Sequence, residues 1–418
     1  MSTRTGSSIS SRWRWAAALV AAISLAATVA CTPTEMQELS GLFPVDPSVS
    51  FAVHGDRDIP AAARLAESVV FPVVPGQEYP RIPIMLRASN GDLVAIAAIR
   101  QGSISDGAAR QPLRAAISSD GGATWSHHEI TPAGATDGDA AGVVDPSTGR
   151  IHVLSTTNHY VSDDNGVTWS NAPYSLGPNA AGVTGFPNGP GAGIAVSHGI
   201  HAGRLVVMCR KANPDSFPLP PAFLDWSHTT NCVLFSDDGG ETWTTSQTVQ
   251  THVGEGAVVE LADGTLYMSS RTYLFDGRRA EAYSTDGGQT WGRFGRSVLP
   301  EPFFGVNGSL TRVEGRADGS DLVLYSNIPE YDPPLGVVSL ARKNLSLYWS
   351  DDETGTWHFG GVIHRGPSAY SSMVAIGAEV GVLYEAVIQD VNSDRGPSDP
   401  PDGIRFVRID TNALDTTG

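Results

Sequence analysis

Along most of the chain the apolar positions fall in short runs rich in Val, Ile and Leu, each cut off by Gly, Asp or Pro. Leu205–Cys209 (LVVMC), Cys232–Phe235 (CVLF) and Val382–Tyr384 (VLY) are examples. Runs of that length between turn residues predict β-strands. The 3.6-residue periodicity of amphipathic helices is weak outside the N-terminus, so the expected class is all-β. One apolar stretch breaks the pattern: Trp15 to Ala30, preceded by Arg4, Arg12 and Arg14 and by no acidic residue. A basic start and an apolar segment shorter than a membrane-spanning helix predict an export signal over residues 1–30.

Between the strands one polar segment recurs five times. The copies are Ser118–Trp125 (SSDGGATW), Ser162–Trp169 (SDDNGVTW), Ser236–Trp243 (SDDGGETW), Ser284–Trp291 (STDGGQTW) and Ser350–Trp357 (SDDETGTW). Four follow Ser-x-Asp-x-Gly-x-Thr-Trp, and the fifth moves its glycine one place, to Gly355. Asp supplies a side-chain acceptor for its own backbone, and Gly tolerates positive φ. Each copy therefore predicts a hairpin turn between outer strands, with its Trp buried between neighbouring strands. As calcium loops the copies have too few acidic ligands and no closing glutamate. The copies begin 44, 74, 48 and 66 residues apart, and repetition at such intervals marks a propeller or array. The stretch from Ser50 to Asp410 divides into six units of roughly 60 residues, a blade-sized length. The architecture expected is a six-bladed β-propeller of four-stranded antiparallel blades over residues 51–418, with one blade lacking the segment or closed by both chain ends.

Charge and cysteine content narrow the partners. Lys and Arg number 27 against 44 Asp and Glu; removal of residues 1–30 leaves 24 bases and a net charge of −20. That balance disfavours nucleic acid. Residues 31–50, polar and punctuated by proline, read as a flexible tether. Cys209 and Cys232 fall on strands expected to be adjacent, where a disulfide and two buried thiols both remain open. No zinc-ligand spacing occurs, and neither metal nor cofactor is expected.

The repeated segment resembles the Asp box of bacterial sialidases and related propellers, and further segments match that family in order from about residue 65 to 390. Tyr79-Pro80-Arg81-Ile82-Pro83 resembles its aromatic-Arg-Ile-Pro motif, with Pro80 in the aromatic position, and implies Arg81 as the first of three active-site arginines. Asp106, 12 residues before the first box, stands where the family has its acid/base catalyst. Arg100 is implied to touch the sugar or to organise that loop. Glu255 and Arg271, 16 apart across the Asp263-Gly264 turn, resemble the family's base and second arginine; a hairpin brings them to one end of a blade and sends Glu260 to the other. Arg342, in an Arg-x-Asn-Leu sequence before the last box, is the implied third arginine. Tyr370 is the implied nucleophile, Glu385 the implied brace for Arg81, and Asp139 an implied contact to the sugar, with Ala140 where proline is usual. Thr28-Val29-Ala30-Cys31 resembles a bacterial lipobox with Thr28 in place of Leu, Val or Ile. It implies Cys31 as a lipidation site and an anchor on the outer face of the cell membrane; plain secretion is the alternative.

The resemblance implies an exo-α-sialidase that hydrolyses terminal α-linked sialic acids from glycoproteins, glycolipids or oligosaccharides with retention, working as a monomer. Planar guanidiniums suit the substrate carboxylate through charge-assisted pairs that lysine does not reproduce. A neutral phenol avoids the repulsion that a carboxylate nucleophile meets at a carbon bearing a carboxylate. Alternatives are a trans-sialidase, for which Trp226 is a candidate acceptor wall, a hydrolase of a deaminated nonulosonic acid, or a carbohydrate-binding propeller without catalysis.

Overall fold

The apolar runs are strands buried on both faces. In Leu93–Gln101, Val94 and Ile96 pack toward Ile151 and Val153 of one neighbouring sheet, while Leu93 and Ala95 pack toward Phe71 and Leu383 of the other. Alternate side chains thus feed two separate cores, so these strands read as unbroken apolar runs rather than as an apolar-polar alternation.

The computed structural model of the chain describes residues 55–104, 108, 110–187, 191–212, 229–249, 253–272, 277–302, 305–329, 342–386 and 403–414. The expected export signal, the tether with Cys31, the loop with Asp106, and Trp226 lie outside the described residues.

The strands form six blades whose main strands pair antiparallel; short parallel pieces, Gly191–Ala192 beside Ala140–Val144 and Leu176–Gly177 beside Trp243–Thr245, widen blades 2 and 3 beyond the four antiparallel strands expected. Blade 1 runs Glu78–Arg87, Leu93–Gln101, Leu113–Ser118 and Ser126–Glu129. Blade 2 is built on Ala140–Val144, Ile151–Ser155, His159–Ser162 and Ser170–Asn171. Blade 3 has Leu205–Ala212, Thr229–Ser236 and Trp243–Thr245, with Phe186–Pro187 and Ile194–Ala195 short pieces along its inner edge. Blade 4 is Val253–Glu260, Leu266–Thr272, Arg278–Ser284 and Gly292–Pro300. Blade 5 begins with Ser309–Val313, Leu322–Asn327 and Lys343–Ser350; its last strand is the first half of the long His358–Ile376. The second half of that strand opens blade 6, which continues through Glu379–Ala386 and Gly403–Asp410.

The blades touch in a closed cycle, from Glu78–Arg87 through Ala140–Val144, Leu205–Ala212 (behind the short inner pieces of blade 3), Val253–Glu260 and Ser309–Val313 to His358–Ile376, and back to Glu78–Arg87. Each pair of adjacent blades shares one apolar cluster. Closure is made by the chain ends: Arg64–Pro72, from the N-terminal side, pairs antiparallel with Gly403–Asp410 as the outer strand of blade 6. This is the six-bladed propeller expected, and blade 6, closed by both ends, is the blade without a box.

In every box the Ser hydroxyl donates to the Asp carboxylate and accepts a backbone N–H four residues on. Each turn joins the third and fourth strands of its blade. The fifth box keeps the left-handed backbone where its glycine has moved away, with Thr354 at φ 72° and Glu353 at φ 57°. Cys209 and Cys232 face each other across adjacent strands of blade 3 and are joined as a disulfide, Cα–Cα 4.9 Å.

Candidate active site

Six residues on four blades converge at one end of the ring. Arg81 lies on the inner strand of blade 1, where the register with Leu93–Gln101 slips between Arg81 and Ile84. The slip places Ile82 at φ 61°, a conformation rare for a β-branched side chain. It is held by Glu385, which is wholly buried on the second strand of blade 6. One Glu385 oxygen accepts from Arg81 Nε at 2.8 Å and from the Ile82 N–H at 2.8 Å; the other accepts from the Tyr370 N–H at 3.1 Å. A single carboxylate therefore sets both the Arg81 guanidinium and the backbone that carries Tyr370.

Tyr370 stands on the inner strand of blade 6. Its hydroxyl donates to Glu255 Oε1 at 2.8 Å and accepts from Arg271 Nη1 at 3.0 Å. Arg271 Nη1 also reaches both Glu255 oxygens, at 3.1 and 2.9 Å. Glu255 and Arg271 occupy adjacent strands of blade 4, brought to the same end by the turn at Asp263-Gly264. Glu260 is at the other end, its carboxylate taken by the Ser197 and His198 N–H groups at 2.7 and 2.9 Å. Arg342 immediately precedes the third strand of blade 5. The bend there is made by Asn344 at φ 62°, whose side chain accepts the Gly366 N–H at 3.1 Å. Asn at this position is explained by its tolerance of left-handed backbone. The Arg81 and Arg342 guanidiniums lie 5.9 and 5.8 Å from the centre of the Tyr370 ring.

The electrostatics separate the phenol from its acceptor. Burial and the Glu255 charge push the Tyr370 hydroxyl well above its ordinary range, against the pull of Arg271 and Arg342. Burial also pushes the Glu255 carboxyl up, but the charges of Arg271 and Arg210, its own backbone and the Tyr370 hydroxyl outweigh burial and hold it at about 2. The resting pair is thus a neutral phenol bonded to a carboxylate.

Arg100 is buried; its Nη1 donates to the Ile104 carbonyl at 2.7 Å and its Nε to Gln111 at 3.2 Å. It ties down the segment leading toward Asp106. Asp139 is close enough for its charge to act on Tyr370. Beside it in sequence, Asp137 accepts from Thr131, Asn158, Ser155 and Tyr160 at 2.6, 2.7, 2.8 and 2.8 Å and so fixes the loop carrying Asp139. Neither Asp137 nor Arg210 stands out in the sequence, because their partners come from other strands. Among the described residues no three His, Cys, Asp or Glu side chains gather as a metal site, and no helix is long and apolar enough to cross a membrane.

The chain resembles known proteins. Residues 142–384 match the BNR repeat-like domain. A sialidase of Micromonospora viridifaciens is 29% identical over 73% of this chain and 49% of its own length. A sialidase of Paraclostridium sordellii is 30% identical over 66% of this chain and 71% of its own. The chain thus spans about half the length of the Micromonospora relative. The solved structure of the Hadza microbial sialidase Hz136 superposes with a TM-score of 0.63 at 24% identity, covering 86% of this chain and 69% of that one. Five Asp boxes, a six-bladed ring and these relatives lead to one conclusion: the chain belongs to the bacterial sialidase family with BNR repeats.

Proposed function

We propose that this protein is an exo-α-sialidase that cleaves terminal α-linked sialic acid with retention, through a covalent bond to Tyr370. The observation that carries the reading is the Tyr370 hydroxyl bonded at 2.8 Å to Glu255 Oε1 beside Arg271, with the Arg81 and Arg342 guanidiniums flanking its ring. Three guanidiniums suit one carboxylate, and a carboxylate-acceptor pair suits the activation of a phenol.

In this reading the substrate carboxylate engages Arg81, Arg271 and Arg342. Its charge offsets that of Arg271, which is what depresses Glu255, so the base gains strength when substrate is bound. Tyr370 Oη then bonds to the anomeric carbon as its proton passes to Glu255. The bond to the leaving oxygen breaks, and Asp106 gives that oxygen a proton. In the second half Asp106, now a carboxylate, takes a proton from water as the water oxygen attacks the anomeric carbon. Tyr370 leaves and recovers its proton from Glu255. Two displacements restore the original anomeric configuration. Sialylated glycoconjugates outside the cell are the proposed substrates, reached after export directed by residues 1–30, with Cys31 as the lipid anchor.

The test is release of fluorophore from an aryl α-sialoside by purified protein lacking residues 1–49, beside a Tyr370→Phe variant. Turnover is expected in the first, and a loss on the order of 10³-fold or more in the second. A folded Tyr370→Phe protein with unimpaired turnover overturns the nucleophile assignment. Product analysis in the presence of lactose separates hydrolysis from transfer.

A further inference from the structure

Behind Arg271 lies a second buried ion pair that the proposed chemistry does not use. Arg279 and Glu301 are 0% and 2% exposed and meet at 2.6 Å, Nη1 to Oε2. Buried pairs of this kind are poor stabilisers in general, because desolvation offsets their attraction. This one is spent on a single residue of main chain. Arg279 Nη1 also donates to the Val306 carbonyl at 2.7 Å, and Glu301 Oε1 accepts the Val306 N–H at 2.8 Å. Arg279 is itself steadied by Ser269 Oγ at 3.2 Å.

The residue before Val306 touches two of the three clamp arginines. Gly305 is at φ 64°, its N–H donating to the Pro302 carbonyl at 2.6 Å. Its own carbonyl accepts from Arg342 Nη2 at 3.1 Å. On its other side there is no room for a side chain: a Cβ would stand 2.5 Å from Arg271 Cγ and 2.8 Å from Arg271 Nε.

From this geometry we infer that the Arg279–Glu301 pair and Gly305 are positioning residues for the carboxylate clamp. The pair fixes both polar groups of Val306; Val306 fixes Gly305; and Gly305 sets the spacing between Arg271 and Arg342 by contact on one side and a hydrogen bond on the other. The inference rests on the sialidase reading of the site. It makes Gly305 the point at which affinity for the anionic substrate is set, by a residue that does not touch the substrate.

Gly305→Ala is the direct test, and Gly315→Ala is its control. Gly315 has a similar backbone, φ 73°, but open space around it, so the control carries the same backbone strain without pressing on Arg271. The two variants are compared with wild type by melting temperature, by KM and kcat on an aryl α-sialoside, and by the pH profile of kcat/KM, which reports the free enzyme. Gly305→Ala is expected to raise KM on the order of 10–100-fold, the size of effect expected from an ångström-scale misplacement. Its acidic limb moves to higher pH, because Glu255 loses part of the charge that depresses it. Gly315→Ala should keep wild-type KM and the wild-type profile. Glu301→Gln, which retains the shape and loses the charge, should move KM in the same direction as Gly305→Ala. Wild-type activity with equal KM and profile in Gly305→Ala and Gly315→Ala overturns the inference and leaves the functional reading standing. If wild type gives no turnover, the comparison is made on sialic acid binding by calorimetry, where equal affinities again overturn it. A wild type that neither turns over nor binds overturns the functional reading, and this inference with it.

Discussion

At the scale of single residues, the site is a set of carboxylates each doing one job by virtue of its neighbours. Glu385 is a brace because the donors that hold it, Arg81 Nε and the Ile82 and Tyr370 N–H groups, are fixed on other strands. Glu255 is poised because a guanidinium and a phenol share its oxygens. The depressed Glu255 carboxyl has a consequence for stability. Its ordinary value is 4.5 and its folded value about 2, so between these the unfolded chain binds more protons than the folded one. The stability it contributes is present above about pH 4.5 and is lost as pH falls toward 2. Glu255→Gln leaves Arg271 buried beside a neutral partner and should lower the melting temperature at neutral pH. That difference from wild type should narrow as pH falls from 4.5 toward 2 in calorimetric scans; a constant difference counts against the assignment. The residue types at this site are legible from the chain, since the segments that carry them follow the family order. The Ile82 backbone, Asp137 and Gly305 are not, because each owes its role to a partner on another loop or strand.

At the scale of elements, the Asp box is a turn that builds its own hydrogen-bond partners. In blade 3, Asp238 accepts from Ser236 Oγ, the Thr242 N–H and Thr242 Oγ1 at 2.7, 2.9 and 2.6 Å. Asp238→Ala should cost about 1–2 kcal/mol in denaturant unfolding, the usual loss for a backbone-satisfying side-chain acceptor. Because the box is on the outer part of the blade, KM and kcat should not change. The fifth box shows how much the side chains do without the glycine. Ser350 and Asp352 hold the same bonds, and Thr354 takes the positive φ instead. The strands were legible for a different reason, their unbroken apolar runs, which follow from burial on both faces. The short inner pieces of blade 3, Phe186–Pro187 and Ile194–Ala195, carry little such signal, because two-residue pairings have no periodicity to read.

At the scale of the whole molecule, stability depends on closing the ring. Arg64–Pro72 caps Gly403–Asp410 through an antiparallel ladder, and Phe71 enters the cluster shared by blades 6 and 1. Deletion through Pro72 should expose the edge of Gly403–Asp410 and remove that apolar contact. Such a protein is expected to lose several degrees of melting temperature and to aggregate, whereas deletion through residue 49 should not; light scattering during a thermal ramp compares the two. The sequence by itself determined what depends on neighbours in the chain: strands from apolar runs, turns from the Ser-Asp-Gly-Thr pattern, and a blade count from the spacing of the boxes. The family resemblance implied the Arg81–Glu385 pair, but from the residues alone only the tertiary structure decides which groups meet. Tyr370 and Glu255 are 115 positions apart, and Arg81 and Glu385 are 304 apart. Contacts over those separations exist because six blades close on themselves. Ring closure arises from the pairing of the chain ends together with packing between blades, so no local run of residues encodes the distance between an arginine on blade 1 and a glutamate on blade 6.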